Sequence, residues 1–478
     1  MPTLSLDEIA RALGGALELG ASPPSGGGGH RVAGYSIDSR SLGEGDLFFA
    51  LVGPRVDGHD YLAAAFAKGA AAAVVSKGDA AGAPGALVRV ADTTAALQNL
   101  GAFVRRRRPL TVVGITGSAG KTTAKELTAA VVGRRFKTMK TEGNLNNTYG
   151  LPLSLLRLAD DREAAVLEMG MSTPGEIARL AEIADPDVGV ILNVLPVHME
   201  YFGSLDRIAA AKGELFAGMR RDAVAVWNAD DTRVGRLARG FGGATISYGV
   251  KARAAQVKAD AIAVLGLSGC RFRLRHGKAA TEVTLHLPGR HNVYNALAAA
   301  AVGRSLGIDL EAIREALESV RPAAMRGVLH RLPDGVEVLD DAYNSNPAAM
   351  EKAIELLRDA EPRGRRILVA GDMLELGPLE TKAHARLGEQ VAKAGIDLFV
   401  AVGPRSAGAA RTAGRPGTAG SSRVKHFPDS EAAAPFVAAA CRPGDLILVK
   451  GSRGMKMERV VQALLKRSGA SPAGGESH

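Results

Sequence analysis

The stretch Thr111-Val112-Val113-Gly114-Ile115-Thr116-Gly117-Ser118-Ala119-Gly120-Lys121-Thr122-Thr123 places an apolar run directly before a glycine-bounded turn and a helical pattern. That context is the one a phosphate-binding loop requires. Gly117 and Gly120 let the backbone turn tightly, so that N–H groups face phosphate oxygens, and the following helix adds the positive end of its dipole. Lys121 supplies a charge for β- and γ-phosphates, and the Thr122 hydroxyl suits Mg²⁺. Gly117, Ser118, Ala119, Gly120, Lys121, Thr122 and Thr123 are therefore the nucleotide-binding candidates. The motif is shorter than a full Walker A, whose first glycine would fall at Ile115. Alone it fits a kinase, a motor ATPase or a ligase equally.

Working outward, strands are expected at Thr111–Ile115, Ala164–Met169, Val188–Val194 and Ala223–Trp227. Helices separate them at Thr122–Val132, Glu176–Ile183 and Asp206–Met219, and two more, at Val293–Leu306 and Leu310–Val320, close the segment. Such alternation predicts a parallel sheet covered on both faces. A second α/β alternation runs from Pro322, with strands at Val336–Leu339, Arg366–Val369, Leu398–Val402 and Leu446–Val449. Before Leu110 lies a smaller α/β segment, opening on a helix whose Ser5 and Glu8 form a capping box. The expected division is residues 1–108, 109–321 and 322–478: three α/β domains, the middle one a P-loop parallel-sheet ATPase domain and the last Rossmann-like. Gly403–Ser422 reads as a surface loop, Ala21–Gly29 as another, and Ser468–His478 as a mobile tail.

At 478 residues the chain is too long for one hydrophobic core. The 46% hydrophobic and 23% charged residues describe a globular chain, not a disordered one. Aromatics are 4%, so the core must rely on Ala, Val and Leu. A net charge of +10 leaves room for anionic ligands but speaks to partners only weakly. The run Arg105–Arg108 leads straight into Pro109 and a strand, without interleaved aromatics, so it reads as a domain junction and not as a nucleic-acid surface. The two cysteines, Cys270 and Cys441, imply a reducing compartment. With no leader-like start and no apolar run of about 18 residues, the expectation is a cytoplasmic protein without a transmembrane segment.

Three further residues carry chemistry. Glu168 ends a strand, and a carboxylate at the C-terminal edge of a parallel sheet lies in the ligand crevice, where it can hold Mg²⁺. His198, in Asn193-Val-Leu-Pro-Val-His-Met-Glu-Tyr-Phe, follows another strand to the same edge; on its own it would be a packed histidine. Lys212, in Ala210-Ala-Lys-Gly-Glu, would by itself be a helix-surface lysine.

The string Thr116-Gly-x-x-Gly-Lys-Thr-Thr resembles the loop of the Mur ligases, and of folylpolyglutamate synthase, which lacks a preceding domain. The resemblance to the Mur ligase family extends over nearly the whole chain. It implies catalytic roles for Lys121, Glu168, His198 and Lys212, with two Mg²⁺ held by Thr122, Glu168, His198 and a CO₂-derived carbamate on Lys212. Pro288-Gly-Arg-His-Asn-Val-Tyr-Asn resembles the family's Gly-x-His-Asn-x-x-Asn element, making Asn292 and Asn295 adenine-side candidates. Arg326 matches an ATP-contacting arginine, and Asp341 a ribose-contacting aspartate. The implied activity is ATP-dependent formation of an amide through an acyl phosphate. Ser39 and Arg40, in Asp38-Ser-Arg, resemble the UDP-sugar contact region. Asn144 and Asn147 in Gly143-Asn-Leu-Asn-Asn, and Asn344 and Asn346 in Asp340-Asp-Ala-Tyr-Asn-Ser-Asn-Pro, are substrate candidates. With Gly371-Asp-Met-Leu-Glu-Leu-Gly and Val449-Lys-Gly-Ser-Arg-Gly-Met-Lys, these strings favour the member that joins D-alanyl-D-alanine to UDP-N-acetylmuramoyl-tripeptide, acting as a monomer, with the third domain binding the amine. The rival is the ligase that adds the third residue, whose diaminopimelate type carries an Asp-Asn-Pro-Arg string that is missing here. A P-loop binding or motor protein is the other alternative; Glu168, His198 and Lys212 argue against it. Ala119, where the family often has Asn, and Pro196 before His198 are departures that remove no charge.

Overall fold

A computed structural model of the chain describes residues 3–20, 25–78, 83–415 and 423–467. Among the described residues the polypeptide builds three sheets in sequence, each of an α/β domain. The first has five strands, with Gly34–Ser36, Asp46–Phe49, Ala72–Val75 and Ala86–Arg89 parallel and the short strand Ala16–Glu18 antiparallel at one edge. The second has nine strands. Seven of these pair in parallel, and among them Thr111–Thr116 lies between Ala164–Glu168 and Val188–Ile191. The third has six, of which only Val328–Arg331 is antiparallel.

The central strands alternate their side chains between two cores. Val113, Ile115 and Val190 face the helices Lys121–Val132 and His291–Ser305, whereas Val112, Leu167 and Ile191 face Glu176–Ala184 and Leu205–Ala217. Period-two alternation on a doubly covered sheet leaves every strand residue apolar, so the run reads as continuous. The small residues of His291–Ser305 admit close packing: a side chain at Gly303 would collide with Val131 and Ile313. Polar caps set where helices begin. Ser5 and Glu8 form the expected capping box, and Asp92, Ser204, Asp231, Asp309, Asn346 and Asp429 each accept a first-turn N–H.

Two expectations change. The central sheet does not end with its parallel strands: Val257–Val264, the last of them, leads an antiparallel meander with Cys270–His276 and Ala279–Leu285 at one edge. Their exposed arginines and lysines hid the alternation Cys270, Phe272, Leu274, which points inward. The stretch read as a surface loop, Gly403–Ser422, contains a helix, Ala407–Ala413, whose Ala409 and Ala413 pack on the third sheet; its glycines and arginines suggested a loop, and tertiary packing overrides that weak preference. Residues 416–422, 21–24 and the tail 468–478 lie outside the described residues. The strand Arg423–Phe427 and the helices Thr93–Arg106 and Glu458–Arg467 complete the architecture.

The domains share contacts that place the site between them. Leu153 and Leu156 of the central helix Gly150–Leu156 join the first domain's core. Arg105 is buried at this junction. Its guanidinium donates to the carbonyls of Ala184 and Asp185 at 2.9 Å and to Asp187 at 3.2 Å. Between the second and third domains, Leu379 packs into the central core and Leu267 into the third. No helix among the described residues is long and apolar enough to cross a membrane.

Candidate active site

The glycine-bounded turn joins the strand Thr111–Thr116 to the helix Lys121–Val132. Gly120 sits at φ +83, and a Cβ there would lie 2.5 Å from Asn295 Oδ1. Only glycine fits both the backbone and that contact. Asn295 Nδ2 donates to Asn292 Oδ1 (2.9 Å), and Asn292 Nδ2 to the Pro288 carbonyl (2.8 Å). The two asparagines thus lie buried directly beside the loop.

The loop's other flank is fastened to the end of a neighbouring strand. Ser118 N donates to the Asn193 carbonyl at 3.1 Å, and Ala119 N to Asn193 Oδ1 at 2.9 Å. Asn193 Nδ2 returns a bond to the Ala119 carbonyl at 3.0 Å. Ser118 Oγ donates to the Leu195 carbonyl and accepts its N–H. The amides of Ser118 and Ala119 therefore hold the loop's own shape, which is narrower than the expectation that the loop's amides all face phosphate. The first-turn amides of Lys121, Thr122 and Thr123 have no partner within their helix, as at any helix N-terminus.

Lys121 Nζ donates to the Gly117 carbonyl at 2.9 Å, folding the side chain back over the turn. Burial lowers its pKa below the lysine range; Glu168 opposes that shift and Arg326 adds to it. The Thr122 hydroxyl donates to Glu168 Oε2 at 3.0 Å and accepts from Arg326 Nη2 at 3.2 Å. One hydroxyl thereby joins the loop, a strand-end carboxylate and a third-domain arginine. Glu168 is buried; its other oxygen accepts from Asn146 Nδ2 at 2.9 Å, and its backbone N–H donates to Thr141 Oγ1 at 3.0 Å. Arg326 lies over the Tyr343 ring, 3.9 Å from its centroid, a cation–π contact that holds the guanidinium flat.

Lys212 lies on the helix Leu205–Ala217 and is only 2% exposed. It makes no hydrogen bond or ion pair that is found among the described residues. Burial pushes its pKa well below the lysine range, and the charge of Lys121 pushes the same way. His198 sits at φ +53 just before the short helix Met199–Phe202. Its Nδ1 is 2.6 Å from Glu375 Oε2 of the third domain. No bond joins His198 to Glu168. On the third domain's rim, Asp341 accepts from Lys450 Nζ at 2.6 Å, and Lys450 also donates to the Asn344 carbonyl at 3.0 Å.

The remaining candidates are spread more widely. Arg40 is exposed and paired with Asp38, whose carboxyl it draws down to about 2, while Ser39 beside it is buried. Asn147 caps the helix Gly150–Leu156 by accepting from Tyr149 N and Gly150 N, and Asn144 is exposed. Asn346 caps the helix Pro347–Asp359, and Asn344 Oδ1 accepts from Ser345 N. Reading the sequence passed over Asn146, Tyr343, Glu375 and Lys450, although all four fall inside the strings already singled out. Nothing in a string says which of three asparagines turns inward.

Comparison with known proteins bears on this arrangement. Residues 31–129 match the Mur ligase family catalytic domain, 115–303 the Mur ligase middle domain, and 325–453 the Mur ligase glutamate ligase domain. The chain is 38% identical, over 90% of its length and 93% of the relative's, to the UDP-N-acetylmuramoyl-tripeptide–D-alanyl-D-alanine ligase of Escherichia coli (strain K12). It superposes on a crystal structure of MurF from Acinetobacter baumannii with a TM-score of 0.86 at 31% identity, covering 98% of this chain and 99% of that one. The MurF ligase of Thermotoga maritima in complex with ADP superposes at 0.79 with 29% identity, covering 91% and 98%. Homology over nine-tenths of the chain, in a protein whose loop, strand-end acid and third-domain arginine meet at one hydroxyl, places this chain in the Mur ligase family.

Proposed function

We propose that this chain joins D-alanyl-D-alanine to UDP-N-acetylmuramoyl-tripeptide, with ATP activating the tripeptide carboxylate. The observation that supports an ATP-driven ligase is the Thr122 hydroxyl, shared between Glu168 and Arg326 across a domain boundary. The choice of substrates rests on the relatives' activity and on the third-domain strings. In the first step a carboxylate oxygen attacks the γ-phosphorus and ADP leaves. In the second the dipeptide's amine attacks the acyl phosphate, inorganic phosphate departs and an amide forms. Lys121 and the first-turn amides face the charge of the transferring phosphoryl group. Arg326, held by Tyr343, adds a charge that arrives only when the third domain is docked. Asn292 and Asn295 border the adenine side, Asp341 the ribose, and Ser39 and Arg40 the UDP-sugar.

The donors fit Mg²⁺, a hard cation that takes oxygen ligands. The Glu168 carboxylate and the Thr122 hydroxyl would hold it, and it would neutralise phosphate charge. No group of three His, Cys, Asp or Glu side chains suited to a metal occurs among the described residues. Further anionic donors must come from the nucleotide or from a modified side chain. Lys212 suits the second role: its buried amine favours the neutral form, whose lone pair can attack CO₂, forming an N–C bond and releasing a proton to give a carbamate. That reverses the sign of charge at this position. His198 is the remaining candidate for the second ion.

A coupled phosphate-release assay tests the reading. Turnover should need ATP, the UDP-tripeptide and D-alanyl-D-alanine together. Faster ligation of a single amino acid to a UDP-dipeptide would move the chain to the rival ligase, and ATP hydrolysis indifferent to both acceptors would remove it from ligases altogether.

A further inference from the structure

His198 and Glu375 belong to different domains, yet Nδ1 and Oε2 lie 2.6 Å apart, among the shorter side-chain contacts of the interface. Both residues have left-handed backbones, at φ +53 and φ +62. For residues with a Cβ this conformation is costly and survives where surrounding structure enforces it, often at functional sites. Here the enforcing contacts are visible. Gly377, at φ +51, approaches the backbone of Glu200 so closely that a Cβ would lie 2.9 Å from the Glu200 Cα. Two residues on, Leu379 packs into the central core. The third-domain turn is thus seated against the helix Met199–Phe202 immediately after the His198–Glu375 contact.

An ionised carboxylate only accepts hydrogen bonds, so Nδ1 must carry the proton, and a neutral ring then keeps its lone pair on Nε2. Histidines that bind metals commonly donate their other nitrogen to such a carboxylate, which fixes both tautomer and ring orientation. We propose that Glu375 is a positioning residue: from the third domain it fixes the His198 imidazole in the Nδ1–H form, so that the histidine becomes a competent metal ligand only when that domain is docked. This deepens, and rests on, the reading of His198 as a ligand for the second ion. It also gives domain docking a chemical consequence within the central domain besides delivery of Arg326.

Two measurements on full-length protein test it. The first is nitrogen NMR of ¹⁵N-histidine-labelled, metal-free protein, with the His198 signals assigned by their loss in His198→Ala. The native protein should show the Nδ1–H tautomer and Glu375→Leu the Nε2–H form; Glu375→Gln, whose amide oxygen still accepts, should stay close to native. The second is Mn²⁺ titration in the presence of a non-hydrolysable ATP analogue. Glu375→Leu should weaken the second site roughly 10–100-fold, the range seen for carboxylates behind metal-bound histidines, while Glu375→Gln loses less. An unchanged tautomer, or unchanged Mn²⁺ affinity in Glu375→Leu while His198→Ala abolishes the second site, overturns the inference and leaves the ligand reading standing. Retention of both Mn²⁺ sites in His198→Ala overturns the ligand reading itself.

Discussion

Two lysines of the central domain are equally buried, each 2% exposed, and are treated in opposite ways. Lys125, on the helix that follows the phosphate loop, donates to the Thr141 carbonyl at 2.7 Å and lies 3.1 Å from Glu126 Oε1. Lys212, on the helix Leu205–Ala217, has no such partner among the described residues and has the positive charge of Lys121 for company. Burying an unpaired ammonium is expensive enough that the group sheds its proton. The first environment offers a buried ammonium partners, whereas the second offers none and draws the pKa of Lys212 well below the lysine range. A neutral amine is what the proposed carbamate needs, and among the described residues no acidic partner opposes that form of Lys212.

Activity separates the two lysines most directly. Lys212→Met should lower kcat roughly 10²–10³-fold, the scale on which a preorganised electrostatic group acts in a site of this kind, and added acetate should partly restore Lys212→Ala whereas chloride at equal ionic strength should not. Full activity of either variant in CO₂-depleted buffer would make the lysine structural. Lys121→Ala should cost a similar roughly 10²–10³-fold in kcat with the fold intact, but acetate should not rescue it, because the charge lost there is positive.

Stability sharpens the contrast, since the two buried lysines should respond with opposite signs. Lys125→Met should destabilise by about 1.5–3 kcal/mol, because a charged donor to a buried carbonyl is lost; chemical denaturation would read it. Lys212→Met in CO₂-depleted buffer should instead raise Tm. The pH dependence follows from linkage. The folded pKa of Lys212 lies below the ordinary 10.5, so in the window between them the unfolded chain binds the extra proton and native stability climbs with pH. The advantage of Lys212→Met should be widest at low pH and close as pH approaches 10.5. A gap that widened with pH would contradict the depressed pKa.

The smallest effect links the two environments. Thr141 accepts Lys125 on its carbonyl and the Glu168 N–H on its hydroxyl. Thr141→Val keeps the shape and the first bond but strands a buried N–H, at a cost of about 1–3 kcal/mol. Urea denaturation would measure it, and a loss as large as that of cutting a full side chain would mean that the hydroxyl does more than hold Glu168.

What could be read in advance divides along a physical line. The apolar run before Thr116, the glycine-bounded turn, and the Ser5–Glu8 cap depend on residues a few positions apart, and each was legible. The meander from Val257 to Leu285 was not, although its strands pair as hairpins with their neighbours in sequence, because the inward set of Cys270, Phe272 and Leu274 is interleaved with arginines. The glycines and arginines around Ala407–Ala413 signal a loop, and the helix gains a buried face only from the third sheet.

The same division governs the site. Read along the chain, a phosphate loop follows a strand, Glu168 ends a further strand at the ligand edge, and a histidine and a lysine follow in turn. These properties are set by neighbours along the chain, where periodicity and turn chemistry act. The packed fold, in contrast, selects Asn146, and not Asn144 or Asn147, to turn to Glu168. It alone seats Arg326 on Thr122 across 204 positions of sequence, and brings Glu375 to His198 across 177. Contacts over such separations arise from how whole domains dock, and burial, which makes Lys212 unlike any surface lysine, is a property of the packed fold and not of the residues beside it in the chain.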